Sequence, residues 1–189
     1  SDSVQDYSSP DRDDSTRRIF SLPHGWSIEG DFSLDNPSTP GGGALPGGIG
    51  WYRKTFTLPE TDRGKVVYVD FDGVYRNSEV WINGHSLGFR PNRYDLTPYL
   101  RYGSQPNVIV VKADNSEQPN SRWYSGSGIY RNVWLVKVNP VHVDNWGTFV
   151  HDMKISPEEA TFSLEARIRN SSEADREAEV STSIYDDRN

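Results

Sequence analysis

The sequence lacks cysteine altogether, which excludes a disulfide scaffold, a thiol nucleophile and a cysteine-ligated zinc site. It also lacks long apolar runs. The longest are strand-sized, far short of the ~20 residues that a bilayer span requires, so no membrane partner is expected. Positive charge is in deficit: 20 Lys and Arg face 27 Asp and Glu, for a net charge of −7. An acidic chain without a basic patch has no footprint for nucleic acid. At 189 residues the chain predicts one full domain with part of a second, and leaves no room for a (β/α)₈ barrel of about 250 residues. Residues 1–18 (SDSVQDYSSPDRDDSTRR) have neither an apolar core nor a small-residue cleavage site. They read as a flexible polar tail. The residues leave the compartment open, with a periplasmic or secreted location favoured over the cytoplasm.

What is present is strand signal and aromatic side chains. Residues 51–58 (WYRKTFTL) are rich in aromatic and β-branched types and close on Pro59. Residues 65–72 (KVVYVDFD) alternate, with Val67, Val69 and Phe71 on one face. In residues 78–89 (SEVWINGHSLGF), Asn83-Gly84 between apolar stretches is a strong hairpin signal, because both residues tolerate positive φ. Residues 107–113 (NVIVVKA) form a near-continuous apolar run, the pattern of a strand buried on both faces, and residues 133–138 (VWLVKV) are a further strand. A single turn of helix is expected at residues 95–100, and residues 35–50 (DNPSTPGGGALPGGIG) hold too much Gly and Pro to be anything but loop. Short strands about ten residues apart predict an all-β sandwich.

Beyond Pro140 the pattern changes. Residues 161–169 alternate cleanly, with Phe162, Leu164, Ala166 and Ile168 inward; residues 177–185 repeat this with Ala178, Val180 and Ile184. About three strands fit where an immunoglobulin-type sandwich needs about seven. The expectation is a chain that stops inside its second domain, with residues 1–18 as tail, 19–140 as the first sandwich and 141–189 as an incomplete immunoglobulin-like sandwich. Uncovered apolar faces and unpaired edges then predict self-association.

Three constellations could carry chemistry. Six Trp, ten Tyr and seven Phe could pack on the C–H faces of sugar rings or fill sandwich cores. Trp81 and Trp134 lie in strand patterns and are expected in the core, whereas Trp123 sits in a polar loop. That loop, residues 114–131 (DNSEQPNSRWYSGSGIYR), follows directly on the buried strand and gathers Asp114, Asn115, Asn120, Arg122, Trp123 and Tyr124. Amides and carboxylates held at a strand end can bind hydroxyls; Asp and Asn also simply make turns. The third search is for catalytic groups. His24, His85, His142 and His151 show no metal-ligand spacing, and no G-x-S-x-G elbow or phosphate loop occurs. Asp70 and Asp72 share one strand face, whereas a glycosidase pair must flank the sugar from opposite sides. No catalytic residue and no metal site is expected in this chain.

Several strings together are specific: LPHGWSIEG (22–30), GIGWYRKTF (48–56), FDGVYRNSEVWINGHSLG (71–88), YDLTPYL (94–100), PNSRWYSGSGIYRNVWL (119–135) and PVHVDNWGTFV (140–150). In this order they resemble the N-terminal sugar-binding domain of the β-galactosidase branch of glycoside hydrolase family 2. The resemblance implies a jelly-roll sandwich, then an immunoglobulin-like domain, then a catalytic barrel whose two glutamates lie outside this chain. It implies a β-galactoside oligosaccharide as ligand, and the barrel of the same polypeptide as partner. No cofactor is implied for this segment; a divalent or sodium ion belongs to the barrel. In the family, a loop of the first domain reaches the barrel mouth with an Asp or Asn on the terminal sugar, and the matching position is Asp114 with Asn115 beside it. Arg122 and Trp123 also match, as loop-shaping residues first. The chain departs from the family pattern at Gly25, where the family has Asp after LPH. It departs again at Asn92-Arg93, where several more residues are expected. An autonomous carbohydrate-binding module is the alternative reading, and an adhesion or assembly sandwich is a third.

Overall fold

A computed structural model describes residues 7–89 and 92–185, with the side chain of Asp152 excepted. Contacts divide the chain into two compact units: the residues up to Arg63 with Val67–Lys137, and Gly64–Val66 with the residues from Val138 onward.

The first unit is a two-sheet sandwich. Its strands in chain order are β1 (His24–Gly25), β2 (Gly48–Phe56), β3 (Val66–Phe71), β4 (Ser78–Ile82), β5 (His85–Gly88), β6 (Arg93–Asp95), β7 (Asn107–Asn115), β8 (Gly128–Ile129) and β9 (Val133–Val138). One sheet runs β2-β7-β4-β5, the other β6-β3-β9, and β1 pairs β8 separately. The alternation seen in the sequence selects the facing side chains. Tyr52, Val80, Ile82, Val111 and Ala113 from the first sheet bury against Val69, Phe71 and Tyr94 from the second and Leu96 just after β6. The β4–β5 hairpin turns on Asn83 and Gly84, at φ 50° and 84°, as a two-residue primed turn requires. The Asn83 amide does a second job: it donates to the Tyr99 carbonyl oxygen (2.8 Å) and to Asn107 Oδ1 (2.9 Å), and its oxygen accepts the Val108 N–H.

β7 is buried on both faces because the outer face of its sheet is covered too. Trp81, Val108 and Val110 form a second cluster there, with Trp51 packed against it. The cover is the N-terminal segment. Tyr7 stacks on Trp51 at 4.8 Å, and the Arg53 guanidinium donates to the carbonyl oxygens of Tyr7, Ser9 and Pro10 and to the Asp14 carboxylate. The expected flexible tail is therefore corrected over residues 7–14: one strand arginine supplies the donors that fasten a polar segment over apolar surface. Residues 1–6 of that tail lie outside the described residues.

Other expectations shift as well. Trp134 is 54% exposed rather than in the core, because its Nε1 donates across the surface to Asp72 (3.0 Å). Asp70, the other carboxylate of that strand face, is gripped by Arg93 in a bidentate pair (2.6 and 2.5 Å). β2 begins at Gly48, three residues inside the stretch read as loop. Glycine permits this, since a Cβ on Gly50 would lie 2.8 Å from the Trp26 ring.

In the second unit β10 (Val141–Ile155) and β11 (Ala160–Asn170) form an antiparallel ribbon. Val143, Thr148 and Val150 oppose Ile168, Ala166 and Leu164, so the inward set predicted for residues 161–169 does lie on one apolar face. The pairing skips from Val143 to Thr148 while β11 advances only from Ile168 to Ala166, and a four-residue bulge stands over Arg167. Trp146 within it has φ 52° and is 94% exposed. Residues 177–185, expected as a third strand, form no strand. A strand exists only through a neighbour's hydrogen bonds, and this segment stays exposed with no ladder.

The bulge is pinned by Asp144, whose carboxylate takes two hydrogen bonds from Arg169 (2.9 and 2.8 Å) and one from the Asn145 N–H. Those donors, Arg169 first, lower its pKa from 3.8 to about 2. A lowered folded-state pKa contributes stability above the unfolded value that disappears as pH falls through the folded one. The ribbon register is thus expected to hold at pH 5 and to loosen between pH 3.8 and about 2. Carboxyl carbon chemical shifts should titrate with a midpoint near 2 in the parent and near the ordinary value in Arg169→Gln. A parent midpoint of 3.8 would contradict the pinning.

Candidate functional site: the loop closing the end of the sandwich

β7 ends in Asp114-Asn115, and the next strand is β8, which pairs with β1 outside the β7 sheet. Strand alternation sends these two side chains to opposite faces. Asp114 points outward, beside Lys112 (3.3 Å), and its Oδ1 accepts the hydroxyl (2.6 Å) and N–H (3.1 Å) of Ser116. Burial pushes the Asp114 carboxyl up, but the Ser116 donors and the Lys112 ammonium outweigh it and hold it below the ordinary carboxylate range. It is an ionised turn former.

Asn115 points inward and is 3% exposed. Its Nδ2 donates to the Gly126 carbonyl oxygen (3.1 Å) and to Ser127 Oγ (2.8 Å). Its Oδ1 accepts from Gln118 Nε2 (2.8 Å) and Asn120 Nδ2 (2.6 Å). Both donors and both acceptor positions of the amide are used, so Asn115 has nothing left for a sugar. Asn115, expected as a sugar contact, is a buried hub in this structure. Asn120 completes the circuit by accepting from Ser125 Oγ at 3.4 Å.

The tip of the loop faces solvent. Trp123 is 76% exposed and Tyr124 is partly so, its hydroxyl 3.2 Å from Ser27 Oγ. Arg122 is exposed alongside. A crevice of about 10 Å³, room for one water, lies among Asn115, Gln118, Trp123, Tyr124 and the loop around Leu45 and Pro46. Asn115, Asn120 and Trp123 are therefore brought together; Asp114 is held on the other face, and Arg122 stands free of the crevice lining. Sequence reasoning did not single out Gln118, Ser127 or Ser27. Their only signal was the density of small polar residues in SGSG and around Trp26.

Below the loop, the short β1–β8 pair is locked by Tyr52. Its hydroxyl donates to the His24 carbonyl oxygen (3.2 Å), receives the Ile129 N–H (3.4 Å) and lies 3.2 Å from His24 Nδ1. Burial raises the Tyr52 pKa, so it stays protonated as a donor. His24 is further held by Glu29 and Arg18, which also pair with each other, which makes it a structural histidine.

A larger cavity of about 340 Å³ is lined by Phe71, Val74, Val80, Phe89, Asn92 and Tyr94, among others, and by none of the predicted site residues. Among the described residues no group of three or more His, Asp or Glu is placed to hold a metal.

These features define an all-β sandwich domain in which the loop after β7 is hydrogen-bonded at both stems and tipped by exposed aromatic side chains. The family described as glycosyl hydrolases family 2, sugar binding domain, matches residues 32–139. The chain belongs to that family and carries its sugar-binding domain. It is 54% identical over 178 residues to the β-galactosidase BoGH2A of Bacteroides ovatus, covering 92% of this chain and 21% of that protein. It is 33% identical to a β-glucuronidase of Formosa agariphila, over 92% of this chain and 20% of that protein. The structure of a β-glycosidase from Bacteroides vulgatus superposes with a TM-score of 0.84 at 46% identity, covering 92% of this chain and 23% of that one. The chain thus spans about a fifth of the relatives it matches.

Proposed function

We propose that this chain is the non-catalytic sugar-binding segment of a retaining β-galactosidase, and that the loop from Asp114 to Gly128 contributes to the substrate pocket of the full-length enzyme. The observation that carries the reading is Trp123, a large aromatic left exposed on a loop whose two stems are hydrogen-bonded to Asn115. An indole with no packing duty at home offers a flat apolar face to the C–H side of a hexose ring. The barrel of the same polypeptide would supply the acid/base and nucleophile carboxylates. Galactose is favoured over glucuronic acid by the 54% identity to the Bacteroides ovatus β-galactosidase, against 43% to a putative β-glucuronidase and 33% to a β-glucuronidase, both of Formosa agariphila.

The test is a paired assay. The full-length enzyme should release chromophore from an aryl β-galactoside and act far less on the matching β-glucuronide, while the purified 189-residue chain releases none. Chromophore release proportional to the concentration of the short chain would refute the non-catalytic assignment. A preference for the glucuronide would refute the galactosidase one.

A further inference from the structure

We infer that Asn115 is a positioning residue, which never touches sugar but sets the geometry in which Trp123 and Tyr124 are presented. The inference rests on the reading of this loop as a sugar contact and assigns the part of the chain that makes the contact rigid. Two of the four Asn115 partners, Gln118 and Asn120, precede the aromatic pair; the other two, Gly126 and Ser127, follow it. One buried amide therefore ties both stems of a loop whose tip has little packing of its own. The stems are anchored onward as well. The Ser127 carbonyl oxygen accepts the Trp26 N–H at 3.0 Å, and the Tyr124 hydroxyl meets Ser27, so the hub registers the tip against the turn at residues 26–29. Asparagine is the chemistry this spot needs. It must face two donors on one side and two acceptors on the other, and a carboxylate, which only accepts, would oppose the Gly126 carbonyl oxygen. Holding a recognition group in place before the ligand arrives removes an ordering cost from binding.

A double-mutant cycle in the full-length enzyme tests this, with kcat and KM measured on an aryl β-galactoside for Asn115→Asp, Trp123→Ala and the pair. Asn115→Asp alone should raise KM about tenfold with kcat nearly unchanged, as expected when a ground-state contact is lost. In the Trp123→Ala background the same change should cost less than twofold, since two residues acting through one contact are not additive. An undiminished tenfold loss in that background would overturn the inference, and so would an unchanged KM for Asn115→Asp. Amide hydrogen exchange over residues 116–127 separates this from the functional reading. Faster exchange in Asn115→Asp supports the hub even if Trp123→Ala proves silent, which would sink the sugar contact alone; unchanged exchange sinks the hub. Should Asn115→Asp not fold, Gln118→Ala removes a single hub donor and should show the same pattern at about two- to threefold.

Discussion

Replacing Trp123 by Ala in the full-length enzyme is expected to lower kcat/KM on an aryl β-galactoside by roughly 10- to 100-fold with little change in thermal midpoint. Two observations drive this expectation. The indole is 76% exposed, so its removal opens no cavity in the sandwich, and exposed positions rarely contribute to folding. A side chain of this size, fully covered by a ligand, is worth about 1.5–3 kcal/mol, which converts to that range of fold-change. Trp123→Phe should recover most of the loss, because a smaller flat ring still offers an apolar face. The contrast is Asp114→Ala. Its carboxylate is already committed to Ser116 and Lys112 on the outer face. A loss of no more than about fivefold is expected there. Equal activity in Trp123→Ala and the parent would remove the loop from the substrate pocket. A larger loss at Asp114 than at Trp123 would move the contact to the outer face.

The largest effect on folding is expected from Gly128→Ala. Gly128 opens β8 at φ 118°, a conformation that L side chains rarely adopt. A Cβ there would be driven into the Tyr52 hydroxyl and lie 2.8 Å from the His24 carbonyl oxygen. Overpacking costs about 1–3 kcal/mol and a forced backbone conformation about 1–3 more, so a destabilisation of about 2–6 kcal/mol is expected. Denaturant unfolding followed by the shared tryptophan signal measures it. The variant is informative about the site as well, since Tyr52 anchors β1 to β8 and β8 closes the loop. The companion Tyr52→Phe, which removes the hydroxyl that blocks the Cβ, should restore part of the lost stability to Gly128→Ala. No such rescue would mean that backbone strain and the contact with the His24 carbonyl oxygen account for the cost.

Much of the sandwich was legible in the chain because each strand carries its own instruction. Alternation in 65–72 placed Val67, Val69 and Phe71 in the core, and Asn83-Gly84 set a hairpin through local backbone preference alone. Trp134 was misread for the same local reason: its strand pattern could not reveal that Asp72, 62 residues earlier, would draw the indole N–H to the surface. The docking of residues 7–14 was invisible because it depends on Arg53 finding carbonyl oxygens some 40 residues away. The candidate loop was found by its density of polar and aromatic residues, which is compositional. The division of labour within it was not. Asp114 and Asn115 are adjacent and chemically alike, and only the pleat sends one outward and the other into the buried hub.

By itself, then, the order of residues determined an all-β architecture, the hairpin turn, the apolar faces and the polar, aromatic loop after β7, because periodicity and turn chemistry act over a few residues. The tertiary structure alone decided which side chains of the loop are buried and which face solvent, what covers the outer face of the β2-β7-β4-β5 sheet, and that residues 177–185 form no strand. These outcomes turn on hydrogen-bond partners distant in sequence, and a polar group declares its role only once its partners are in place.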